Sequence, residues 1–160
     1  VYELMQSGKY NVEFFGTDDL EPISKLPKLP NMNQDDLKEL DFMLKSVYFV
    51  EPSKEQKILK GKIWILVNEN VFSSSEYAAM FSKATGFATL VGERTGGDGI
   101  GSDPLPIVLP NSGIIVRYSP IYGITSDGTN SQEFGTEPDI YTQKGKTYLQ
   151  TCIDAIKNEK

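Results

Sequence analysis

The chain has 160 residues, of which 39% are hydrophobic and 24% charged, and this balance is typical of a single globular domain. Its net charge of −6, with lysines scattered among acids, argues against a nucleic-acid partner, because such a partner requires a concentrated basic face. No apolar run approaches the roughly 20 residues of a membrane-spanning helix, and the single cysteine, Cys152, excludes an intrachain disulfide and a cysteine zinc cluster.

The sequence of residues 1–60 predicts an irregular N-terminal segment with one helix. Residues 10–15 alternate weakly and indicate a short strand, and three prolines within 21–30 predict an extended stretch with few ladder hydrogen bonds. Asn33 is a suitable helix N-cap, so we expect a helix over about 33–47. Four apolar residues follow it at helical spacing: Leu37, Leu40, Leu44 and Val47.

Residues 61–140 predict an α/β core with a mostly parallel sheet. The near-continuous apolar run over 62–68 is typical of a central strand that is covered on both faces. A helix over 73–85 is expected to follow, and Gly86 is well placed to end it. The next strand is predicted over 88–92, which completes one β-α-β unit with a right-handed crossover.

A hairpin and a terminal helix are predicted beyond this unit. Apolar stretches at 105–109 and 114–118 flank the turn-forming sequence Pro-Asn-Ser-Gly. The glycine-rich loop over 96–101 leads into this hairpin, so it lacks the helix N-terminus that a dinucleotide-binding loop requires. Residues 141–160 are expected to form a C-terminal helix in which Cys152 is a buried, unreactive thiol.

Ser73 lies at the junction of the predicted strand and helix. Backbone N–H groups are unpaired at a helix N-terminus, so a serine there is suited to be a nucleophile whose oxyanion those groups stabilise. The quartet from Ser73 to Glu76 also fits a capping box, and most such quartets are only caps. Ser74 and Ser75 compete with Ser73 for the role of nucleophile. Because the chain has no histidine, the base must be another residue type or lie on other polypeptide.

Three sequence blocks within residues 61–140 together resemble the tail-specific, or C-terminal-processing, serine peptidase family. The blocks are ILVNENVFSSSE at 65–76, ATLVGERTGG at 88–97, and Asp127-Gly128 followed by GTEPDI at 135–140. The resemblance implies a ClpP/crotonase-like core, of which this chain is an incomplete C-terminal portion. It also implies that Ser73 is the nucleophile and that the Ser74 N–H forms half of an oxyanion hole.

The glycine turn departs from the processing-peptidase branch of that family, in which a lysine is the general base. Asp98 stands at the aligned position, and an aspartate is a weak base toward a serine hydroxyl. Lys83, ten residues after Ser73, lies too far along the predicted helix to replace that lysine. The blocks are closer to the tricorn-core branch, which uses a histidine from an earlier segment and a supporting acid near the closing signature. Gln132 or Glu133 lies where that acid is expected.

The resemblance implies a serine endopeptidase with a polypeptide substrate and with no cofactor or metal, secreted from a bacterium or held in its cell envelope. The chain starts at Val1 without a methionine or a signal-like segment, so we expect a fragment whose base lies in the missing N-terminal part of the same protein. Such a fragment is expected to be weak or inactive alone, and a sheet edge left open favours a homo-oligomer. The alternative is an inactive peptide-binding or scaffolding module. A crotonase-type acyl-CoA enzyme is disfavoured because no basic cluster marks an adenine-phosphate site.

Overall fold

The computed structural model describes residues 1–7, 19–47, 49–51, 54 and 59–159. In that part of the chain the strands are β1 (Tyr2–Met5), β2 (Glu21–Pro22), β3 (Phe42–Lys45), β4 (Trp64–Val67), β5 (Thr89–Gly92), β6 (Leu105–Val108), β7 (Ile115–Tyr118), β8 (Tyr122–Ile124) and β9 (Ile140–Tyr141). The α-helices are α1 (Ser74–Thr85) and α2 (Tyr148–Asn158), and short 3-10 helices span Ile23–Lys25 and Asp36–Glu39. The strand predicted over 10–15 lies outside the described residues.

The chain divides into two compact units. The first comprises Val1–Val47 and Ile100–Gln132, and the second comprises Tyr48–Gly99 and Glu133–Lys160. The first unit contains an antiparallel sheet in the order β2-β3-β1-β8 and the hairpin of β6 and β7. The core beside this sheet is a buried cluster of Leu4, Met43 and Ile124.

The prediction of a helix over about 33–47 is wrong. This stretch forms the 3-10 helix Asp36–Glu39 and then β3. Asn33 does not cap an α-helix, since its Oδ1 accepts a hydrogen bond from the Asp35 N–H at 3.0 Å in a local turn. β3 pairs with β1 on one side and with β2 on the other. These long-range ladders override the helical spacing of the leucines, which is only a weak local preference.

The second unit contains the predicted β-α-β arrangement. β4, β5 and β9 form a parallel sheet in that order, and α1 connects β4 to β5. Ala79 of α1 packs with Val67 and Leu90 of the sheet in a buried cluster. Gly86 ends α1 as predicted, with a left-handed φ of 68° and its N–H bonded to the Ser82 carbonyl at 2.9 Å.

The strand predicted over 62–68 is confirmed as β4, but its expected central position is wrong, because the strand covered on both faces is β5. Leu90 and Val91 are neighbours on β5 and point to opposite faces, and both are fully buried. β4 lies at the edge of the sheet formed by the described residues. Leu66 on β4 is 41% exposed, which a strand covered on both faces would not allow.

The predicted hairpin and terminal helix are confirmed. β6 and β7 pair antiparallel, from Leu105 opposite Tyr118 to Val108 opposite Ile115. The side chain of Thr147 caps α2 by accepting a hydrogen bond from the Gln150 N–H. Cys152 is buried as expected, and burial raises the pKa of its thiol. Neither described helix has both the length and the apolar character needed to cross a bilayer.

Candidate active site

Ser73 immediately precedes α1 and has an unusual backbone conformation. Its φ is 57° and its ψ is −124°, a region that residues with a side chain rarely occupy because of steric conflict. The residue is exposed. The strand-to-helix turn therefore holds a solvent-accessible serine in strained backbone geometry.

The capping box does not form. Ser73 makes no side-chain capping hydrogen bond, and its N–H donates to the Gly97 carbonyl at 3.2 Å instead of to Glu76. The hydroxyl that closes this turn belongs to Ser75, which accepts from the Phe72 N–H at 3.1 Å and donates to the Phe72 carbonyl at 2.7 Å. The Ser73 hydroxyl is thus free of any capping role.

Ser74 is the first residue of α1 and is exposed. Its backbone N–H has no hydrogen-bond acceptor among the described residues. This N–H lies at the positive end of the helix dipole, one residue after Ser73, where developing negative charge is stabilised.

Glu76 is buried, with 1% of its surface exposed. Its Oε1 accepts hydrogen bonds from the Thr136 N–H at 3.0 Å and from the Thr136 hydroxyl at 2.6 Å. Its Oε2 is buried without a hydrogen-bond partner in the described part of the chain. The sequence indicated a local capping role for Glu76, whereas its actual partner lies 60 residues away.

The glycine turn after β5 lies directly beside Ser73. Gly96 donates its N–H to the Val71 carbonyl at 2.8 Å, and Gly97 forms a parallel bridge with Phe72. A Cβ on Gly96 would lie 2.5 Å from the Glu69 carbonyl oxygen, so this close approach requires glycine. Asp98 follows with a φ of 62°, so an acidic residue stands in this turn.

Lys83 is engaged in an ion pair at the other end of α1. Its Nζ lies 2.5 Å from Asp139 Oδ1, while Asp139 Oδ2 accepts from the Leu90 N–H at 2.8 Å. Partial burial acts to raise the pKa of Asp139, but the Lys83 ammonium and the Leu90 N–H outweigh it and hold that pKa below its ordinary value. Lys83 therefore serves as a partner for Asp139.

Gln132 and Glu133, the two candidates for the supporting position, differ in their contacts. The Gln132 side-chain amide donates to the Ser119 hydroxyl and to the Ile121 carbonyl, both at 3.3 Å, within the first unit. Glu133 belongs to the second unit, is exposed, and has no side-chain hydrogen bond or ion pair with described residues. The side-chain amide of Gln132 is thus already hydrogen-bonded, whereas the Glu133 carboxylate is available to a partner.

Comparison with known proteins places these residues in a family. The profile of Peptidase family S41 matches residues 13–142. Ten chains of solved structures match, among them a "putative peptidase" from Parabacteroides merdae ATCC 43184 with a TM-score of 0.50 and 22% identity over 74% of this chain. This chain covers 36% of that structure, and the likeness is one of fold. A comparison with curated proteins gives no significant match. Because the family profile covers well over half of the sequence, the chain belongs to Peptidase family S41.

Proposed function

We propose that this chain is the C-terminal catalytic portion of a serine endopeptidase in which Ser73 is the nucleophile. The observation that carries the proposal is Ser73 itself, an exposed residue at a strained strand-to-helix turn whose hydroxyl takes no part in capping the helix. A strained turn at the start of a helix is the kind of position that presents a nucleophilic serine in other hydrolases. Membership of a serine peptidase family agrees with this role.

In the proposed reaction Ser73 Oγ attacks the carbonyl carbon of a peptide bond, and the hydroxyl proton passes to a general base. The Ser74 N–H stabilises the oxyanion of the tetrahedral intermediate. The C–N bond then breaks, and the amine leaves with the proton from the base. Water repeats the sequence on the acyl-enzyme, which releases the new carboxylic acid and restores Ser73.

We propose that the base is a histidine from polypeptide outside this chain, because none of the 160 residues is a histidine. Neither Asp98 nor the ion-paired Lys83 is suited to the role. Glu133 is the better candidate to orient that histidine, since its carboxylate has no partner among the described residues, while the Gln132 amide is bonded within the first unit. This set of roles corresponds to the tricorn-core branch and to a ClpP/crotonase-like core.

The substrate in this proposal is a polypeptide that adds as a strand to the sheet. β4 supports this because, in the described part of the chain, only one of its edges is paired, and an unpaired edge can accept an extended peptide. The same edge would serve a second copy of the chain. An extracytoplasmic location, secreted or in the cell envelope, completes the proposal.

A fluorophosphonate probe tests the nucleophile in the longer protein that contains this chain. The probe should label the protein covalently, Ser73→Ala should abolish labelling, and Glu133→Gln should slow it by about a hundredfold or more. Ser74→Ala is the matched control, because it keeps the backbone N–H and should label normally. Labelling that survives Ser73→Ala would move the nucleophile elsewhere.

An inactive peptide-binding module is the second candidate. The absence of histidine and the aspartate at position 98 favour it. Saturable peptide binding by a longer protein that resists the probe would establish this function in place of proteolysis.

A further inference from the structure

We infer that Glu76 and Thr136 form a clamp that holds Ser73 in its strained backbone conformation, which makes Glu76 a positioning residue for the proposed nucleophile. The inference rests on the proposed function only for the role of Ser73 in catalysis. The strain and the contacts that maintain it are properties of the fold.

Strain of this kind persists only where neighbouring contacts leave the backbone no alternative. The N–H of Ser73 donates to the Gly97 carbonyl at 3.2 Å, and the Ser73 carbonyl accepts from the Tyr77 N–H at 3.0 Å. One contact ties Ser73 to the glycine turn, and the other ties it to the first turn of α1. The φ of Ser73 is therefore fixed by the relative placement of these two segments.

Both segments are attached to Thr136. The carboxylate of Glu76 attaches the first turn of α1 through its two hydrogen bonds, at 3.0 and 2.6 Å. The same Thr136 N–H is shared with the hydroxyl of Thr95, which accepts from it at 2.6 Å. Thr95 precedes the glycine turn and donates its own N–H to the Thr136 carbonyl at 3.1 Å. The hydrogen bond from the Thr136 hydroxyl to Glu76 is short and is not shared with Thr95, so it is the main contact that holds the first turn of α1 to Thr136.

Gly135 keeps this attachment close. A Cβ on Gly135 would lie 2.0 Å from the Thr95 carbonyl oxygen, so only glycine allows the chain to approach Thr95 this closely before Thr136. These contacts form a ring that runs from Ser73 through Gly97 and Thr95 to Thr136, and returns to Ser73 through Glu76. Removing the hydrogen bonds of Glu76 should let the backbone of Ser73 relax from its strained φ.

A double-mutant cycle measured by urea denaturation of this chain tests the clamp. Ser73→Gly should lower the unfolding equilibrium constant about tenfold while Glu76 is present, because glycine tolerates a positive φ. In a Glu76→Ala background the same change should give no such decrease, since Ser73 is already relaxed. If Glu76→Ala fails to fold, Thr136→Val replaces it, because valine is nearly isosteric and removes only the hydroxyl donor.

Lys83→Met is the matched control, since Lys83 also joins α1 to the segment after residue 133, through Asp139 at the far end of the helix. In the double variant, the effects of Lys83→Met and Ser73→Gly should be independent. The unfolding equilibrium constant should then agree, to within about twofold, with the value expected from the two single variants. Glu76→Gln keeps an acceptor oxygen and should restore the coupling. A cycle in which Glu76→Ala and Ser73→Gly also act independently would overturn the inference.

Probe labelling in the longer protein gives a second readout. Thr136→Val should slow labelling of Ser73, Thr136→Ser should restore the rate, and Lys83→Met should lower stability without changing the rate. Equal rates in Thr136→Val and wild type would contradict the positioning role. If Ser73 is not labelled at all, the proposed function fails, whereas the denaturation cycle still decides whether the clamp exists.

Discussion

The three consecutive serines show that position decides what one hydroxyl does. Ser73 is exposed and has strained backbone geometry. The Ser74 N–H has no acceptor in the part of the chain that the structure describes, and Ser75 closes the turn by bonding both backbone groups of Phe72. The sequence alone left the nucleophile open among the three. The contacts of Ser75 give it a structural role and leave Ser73 as the better candidate.

Ser75→Ala should destabilise the chain by about 1 kcal/mol, because it removes a hydroxyl that makes two hydrogen bonds to the backbone. Ser74→Ala should change stability by less than about 0.5 kcal/mol, since its side chain is exposed. Urea denaturation measures both effects, and probe labelling should persist in both variants. Loss of labelling in a stably folded Ser75→Ala protein would reassign the nucleophile.

Among the elements, those encoded by local pattern were the ones that the sequence predicted. The apolar run before α1, the helix with its glycine stop, the next strand and the β6-β7 hairpin are each specified by neighbouring residues. β3 was missed because its conformation depends on pairing with β1, about 40 residues earlier in the chain. The Glu76–Thr136 contact was missed for the same reason, since the short motif around Ser73 gives no sign of a distant partner.

Asp139 joins two elements of the second unit, α1 and β5, to the loop that precedes it. It follows the Gly-Thr-Glu-Pro stretch, pairs with Lys83 of α1, and exchanges hydrogen bonds with Leu90 of β5, with the Asp139 N–H donating to the Leu90 carbonyl at 2.9 Å. The ion pair is partly exposed, so its own contribution should not exceed about 1 kcal/mol. The hydrogen bond from the Leu90 N–H to the Asp139 carboxylate contributes further stability, because loss of the carboxylate would leave the buried Leu90 N–H without an acceptor.

The pKa of Asp139 is lowered in the folded chain, so its contribution to stability is present above the ordinary value of 3.8 and is lost as the pH falls through the lowered pKa. Asp139→Asn should therefore cost about 1 kcal/mol at pH 7, and the difference from wild type should vanish in acid. Urea denaturation between pH 2 and pH 7 measures this dependence. A difference that stays constant over that range would show that the Asp139 charge contributes nothing.

Asp139→Ala provides the comparison that separates the ion pair from the backbone contact. It removes the acceptor of the Leu90 N–H as well as the charge, so it should cost about 1–3 kcal/mol more than Lys83→Met at pH 7. Equal effects of the two variants would assign the whole contribution to the ion pair.

At the scale of the whole molecule, the family match at residues 13–142 includes parts of both compact units. Each unit has its own buried cluster, formed around Leu4 in the first and around Leu90 in the second. Ser73, Ser74 and Glu133 belong to the second unit, which therefore holds the proposed nucleophile, the oxyanion donor and the supporting acid. The element still required by the mechanism is a base, and composition excludes a histidine base within this chain.

The pH dependence of probe labelling should therefore differ between this chain and the longer protein that we propose contains it. A histidine base gives a labelling rate that rises with pH and levels off above a midpoint of about 6.5, because only neutral imidazole accepts the Ser73 proton. Without that base the serine hydroxyl depends on hydroxide, so labelling of the 160-residue chain alone should be several orders of magnitude slower and should keep rising through this range. Rates of fluorophosphonate labelling between pH 5 and pH 9 measure both profiles. A plateau near neutral pH in the isolated chain would show that a residue of this chain is the base, and would overturn the proposed histidine.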